Sequence, residues 1–106
     1  MRATRQDERR QRLDGERERL ARRYVWWREP EAALGDLPRL LCQIMAFGTA
    51  RDYVAARRIW GEAAFKDALR GALPGAMDAR SWAYWHRHFK LPERPMPTRR
   101  FDEAAS

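Results

Sequence analysis

The sequence predicts an all-α fold: a small bundle of four or five short helices, with a charged N-terminal helix and an extended, proline-rich C-terminal tail. Three observations carry this. Apolar residues recur at i, i+3, i+4 and i+7 in several segments. Gly, Thr, Asp and Pro stand where helices start and stop. No alternating apolar–polar run and no hairpin turn pair appears anywhere. The 106 residues give room for one domain. A hydrophobic content of 44% with five Trp excludes a wholly disordered chain.

Residues 1–23 hold nine Arg and five acids on good helix formers. Leu13 and Leu20 are the only large apolar side chains over 3–23, seven apart on one face, and one thin stripe buries little. These residues are expected to form a solvated, charged extension that the bundle does not need for folding. Tyr24-Val25-Trp26-Trp27 is the first apolar cluster. Adjacent indoles cannot both face one core, so at least one of Trp26 and Trp27 is expected at a boundary or interface. Glu29 precedes Pro30 and avoids the helical region, while Pro30 suits the first turn of a short helix over 31–34 that Gly35 ends.

Asp36 is the candidate N-cap of the next helix, whose face is expected to be Leu37, Leu40, Leu41, Ile44 and Phe47, with Gly48 as the C-terminal stop. Thr49 caps a helix through Tyr53, Val54, Ile59 and Trp60, with Asp52 completing a capping-box-like pair. Gly61 ends it. Phe65 and Leu69 share a face over 62–70, and Leu73-Pro74-Gly75 is a turn. Asp78 caps the last helix, about 79–90, with Trp82, Trp85, His86 and Phe89 on one face and Tyr84 and His88 on another. Leu41, Ile44, Trp60, Trp82 and Trp85 are expected to be buried together. The domain reading is therefore a charged helical extension over 1–23, a bundle over 24–91 and an extended basic tail over 92–106.

Net charge is +7 and the pI about 10.7. It is uneven: residues 1–23 carry +4, residues 24–79 are neutral and residues 80–100 carry +5. Twenty of the 22 basic residues are Arg, a bias that with abundant Ala fits a G+C-rich bacterial genome. The first ten residues lack an apolar stretch of the secretory type, and no run reaches the roughly 20 apolar residues of a membrane span, so a cytoplasmic protein is expected. Cys42 is alone, which removes a disulfide framework and a Cys-based zinc site. His86 and His88 are two apart and diverge on a helix. Acids are scattered singly, and no nucleophile elbow is present. No enzyme, cofactor or metal is expected.

The aromatic Tyr24-Val25-Trp26-Trp27 start, the Ile44-Met45-Ala46-Phe47-Gly48-Thr49 centre with Asp52, and the late Ser81-Trp82-Ala83-Tyr84-Trp85 helix resemble a family of small bacterial proteins. Its pattern covers about residues 24–91. Its members are typically encoded beside a nucleotidyltransferase-like abortive-infection toxin. The resemblance implies an all-helical bundle and an antitoxin-type role, with that toxin as the partner. On this reading Trp26 and Trp27 are partner-binding, and Arg94, Arg99, Arg100 and Phe101 on the tail dock on the toxin. Two other readings stand beside it: an Arg-rich nucleic-acid-binding protein whose basic ends neutralise phosphates, and a structural helical interaction module.

Overall fold

The computed structural model describes residues 4–97. Its six helices are α1 (Arg5–Tyr24), α2 (Pro30–Gly35), α3 (Leu37–Phe47), α4 (Ala50–Trp60), α5 (Glu62–Arg70) and α6 (Ala79–His88), and the described residues contain no strand. The fold is all-helical, as the sequence predicts. Residues 91–97 have no regular secondary structure.

Local chemistry sets the helix ends. Thr4 and Asp7 form a reciprocal capping box on α1, Thr49 caps α4 through the Asp52 N–H, and Asp78 caps α6 through the Ser81 N–H. Each satisfies N–H groups that a helix start leaves without partners. Asp36 occupies the N-cap position of α3 without a side-chain cap bond; its carboxylate pairs with Arg28 and Arg39 instead. Gly48 ends α3 at φ −79°, so it needs no left-handed backbone. What it needs is space, because a Cβ there would run into the Ile44 carbonyl oxygen. Gly61 does take positive φ, at 88°, and turns the chain sharply from α4 into α5. The last helix stops earlier than the expected residue 90. Lys90 has φ 57°, and the bonds from the Lys90 N–H to the Arg87 carbonyl and from the Leu91 N–H to the His86 carbonyl form a Schellman stop without glycine.

The core gathers Leu20, Leu40, Leu41, Ile44, Phe65 and Leu69, all withdrawn from water, with Tyr53, Trp82, Trp85 and Phe89 around them. α3 lies at the centre, packed on α1, α2, α4, α5 and α6. Leu41, Ile44, Trp82 and Trp85 are buried as expected, while Trp60 is half-buried against the same core. Phe47 departs from expectation and is 75% exposed. Met45 and Cys42 are buried in its place, which centres the inward face near Leu41. Phe47 then lies about 120° away at the helix's last residue.

The N-terminal extension is also corrected. α1 runs through the expected boundary at residue 23, and Leu20, Ala21 and Tyr24 are buried against α3 and α4. Residues 24–91 therefore lack part of their own core. Residues 4–12 are all exposed, whereas the later turns bury one face. The principal extents are 67 × 30 × 19 Å.

Candidate partner-binding site

The connection from α1 to α2 is a tight turn. The Val25 N–H closes α1 on the Ala21 carbonyl at 2.9 Å, and the Arg28 N–H donates to the Val25 carbonyl at 3.2 Å. Val25 is buried, so the turn's two central residues point outward. Both indoles leave the core: Trp26 is 75% exposed and Trp27 46%. They meet edge to face, with centroids 5.6 Å apart and planes at 87°. Sequence reasoning placed at least one of them at a boundary; the turn geometry exposes the pair. Glu29 is extended and Pro30 opens α2, which fixes where the turn ends.

A buried carboxylate holds the turn in place. Asp52 of α4, whose side chain is 5% exposed, accepts the Tyr24 hydroxyl at 2.6 Å and an Arg19 Nη2 bond at 2.9 Å, and Arg23 Nε lies 3.3 Å away. All three partners sit in the last two turns of α1. The sequence pattern gave Asp52 a local capping role, but its carboxylate crosses to α1 and only the Thr49 half of the box forms. A pattern of spacings shows neighbours along the chain and misses partners 28 and 33 residues away.

Burial raises the Asp52 pKa, but the Tyr24 hydroxyl and the Arg19 and Arg23 charges outweigh it, and the net shift is downward. A lowered folded-state value means that the stabilisation is present above the unfolded carboxylate value and is lost as pH falls through the folded one. Asp52→Asn should therefore cost about 1–3 kcal/mol at neutral pH, and the gap from the parent chain should close in acid. Urea melts at neutral and acid pH check this; a gap that persists below the carboxylate range would contradict it.

The tail residues divide. Arg94 is turned onto the bundle: its Nη2 donates to the Leu69 carbonyl at 2.8 Å and the Arg70 carbonyl at 2.6 Å, at the C-terminal end of α5 where partial negative charge collects. Its own carbonyl accepts Trp82 Nε1 at 2.8 Å, and its guanidinium sits 5.2 Å from the Trp82 ring centroid. Arg94 therefore fastens the tail to the bundle while remaining exposed. Arg99, Arg100 and Phe101 lie outside the described residues.

The remaining reactive side chains are structural in their contacts. Cys42 is buried, its thiol directed at the Ala68 carbonyl, and burial pushes its pKa up to about 11; a thiolate nucleophile is disfavoured there. It borders an open groove of about 530 Å³ whose rim includes Asp36, Arg39, Gln43 and Leu73. His86 is buried and donates Nδ1–H to the Trp82 carbonyl at 2.7 Å. His88 Nε2 lies 3.2 Å from the Tyr53 hydroxyl and stacks on the exposed Tyr84 ring. The described residues hold no group of three or more His, Cys, Asp or Glu placed to share a metal ion. None of their helices is long and apolar enough to cross a membrane. Compared with protein-family models, curated proteins and solved structures, the chain has no match in any of the three.

Proposed function

We propose that this protein is a non-catalytic, antitoxin-type binding module that acts in the bacterial cytoplasm by contacting another protein, a nucleotidyltransferase-like toxin. The observation that supports protein binding is the Trp26–Trp27 pair. Two indoles in water on a chain this short form an apolar patch that a partner would cover, and Trp is strongly enriched among the residues that dominate binding energies. The pair sits on a turn that is fixed at both ends, by Val25 and the Asp52 cluster before it and by Pro30 after it. Little conformational entropy is then lost on docking. The choice of toxin as partner rests on the sequence resemblance set out above.

Growth rescue and co-purification test the reading. The full chain, co-expressed with the toxin encoded beside it, should restore growth and co-purify with that toxin. Replacing both Trp26 and Trp27 by Ser should leave the helical signal intact and weaken binding by about 2–4 kcal/mol, or roughly 30- to 1,000-fold. Undiminished rescue and co-purification by the folded double variant would remove the pair from the interface.

A further inference from the structure

The exposed half of α1 carries a charge arrangement that the protein-binding reading leaves unused. Between residues 14 and 23 the charges are consumed within the fold: Arg17 pairs with Asp14, Arg19 with Glu16 and Asp52, Arg22 with Glu18, and Arg23 with Asp52. Between residues 5 and 12 they are not. Asp7 is engaged with Thr4 in the capping box. Among the described residues, Arg5, Arg9, Arg10 and Arg12 have no carboxylate partner, and all four are exposed.

Helical geometry sorts these side chains. At 3.6 residues per turn, Arg5, Arg9 and Arg12 fall within about 60° of arc and rise about 10 Å along the axis, with Arg10 about 100° further round. Asp7 lies opposite the row and Glu8 at its edge. The four cations thus share one side of a helix that no other element covers.

We propose that this half of α1 is a binding arm for duplex DNA, held by guanidinium–phosphate contacts from Arg5, Arg9, Arg10 and Arg12. A helix with its side chains is about 10–12 Å across, close to the roughly 12 Å width of the B-form major groove. The four guanidiniums offer about one phosphate contact each. Duplex RNA offers a deep, narrow major groove that excludes such a helix. Phosphate contacts fix position without reading sequence, so the arm supplies affinity that is insensitive to base order. The site does not involve Trp26 or Trp27, so it stands or falls apart from the protein-binding reading.

The test is fluorescence anisotropy of the full chain with a mixed-sequence duplex DNA of about 20 base pairs, a matched duplex RNA and polyglutamate, between about 50 and 200 mM salt. The parent chain should bind the DNA more tightly than the other two. Its affinity should fall by about two orders of magnitude across that range. Replacing Arg5, Arg9, Arg10 and Arg12 together by Gln should reduce the slope of log affinity against log salt by about three to four units. A charge-matched control replaces Arg51, Arg58, Arg80 and Arg87, all exposed and without a carboxylate partner among the described residues. It should change the slope by less than about one unit. Equal loss in both variants would mean diffuse attraction by net charge and would overturn the proposal. So would an unchanged slope in the arm variant, no binding by the parent chain at low salt, or equal binding of polyglutamate, which would redirect the arm to an acidic protein.

Discussion

A chain starting at Arg23 is expected not to fold, whereas one starting at Arg12 should melt close to the full-length protein. The first truncation removes Leu20 and Ala21, both fully buried. It also removes Arg19, one of the partners of Asp52, and leaves Tyr24 without the helix that positions its hydroxyl. Emptying a buried leucine site alone costs about 2–5 kcal/mol, against a total stability of about 5–15 kcal/mol for ordinary domains. The second truncation discards only exposed side chains among the described residues, since 4–11 all face water. Its cost is confined to the Thr4–Asp7 cap and the first turns of α1. Circular-dichroism melts of both truncations decide the matter. A cooperative melt near the full-length temperature for the chain starting at Arg23 would show that the last turns of α1 are dispensable.

Trp85→Ala should cost about 3–5 kcal/mol. Trp85 is buried where α3, α4 and α6 meet. Its ring lies 4.7 Å from Tyr53 and 5.7 Å from Phe89 by centroid, and its Nε1 donates to the Met45 carbonyl at 2.8 Å. Trp85→Phe separates the contributions: it keeps most of the packing but leaves that buried carbonyl without its indole donor, a loss of about 1–3 kcal/mol. Trp26→Ala serves as the contrast, because its ring is mostly in water and its removal should leave the melt nearly unchanged. Equal melts for the parent chain and Trp85→Ala would remove Trp85 from the core.

The helices were legible because their signals are local. Thr49, Asp78 and Pro30 act within one turn of their own positions, and Gly48 and Gly61 end α3 and α4 where the sequence reading stopped them. Phe47 was misplaced for the same reason: a recurrence of three and four residues fits two overlapping arcs, and only the positions of the other helices select the one centred on Leu41. The candidate site was half legible. Adjacent Trp26 and Trp27 declare that one must leave the core, but exposure of both follows from a turn closed on the Val25 carbonyl. Arg94 carried a charge signal that points to a partner, yet carbonyls at the end of α5 and the Trp82 ring take up its guanidinium. No pattern of spacings reports a contact 24 or 25 residues away.

What the sequence determined by itself is therefore the helical class, the punctuation of the helices, and the concentration of charge at the two ends of the chain. Capping, proline and glycine geometry, and apolar periodicity all act over a few residues. The tertiary structure alone decided that the second half of α1 contributes to the core while the first half stands in water, that Asp52 ties α4 to α1, and that Arg94 folds back onto the end of α5 and the Trp82 ring. Each depends on groups far apart in the chain meeting, and where water is largely excluded, as at Leu20 and Asp52, one buried carboxylate or one leucine weighs as much as a whole turn of surface helix.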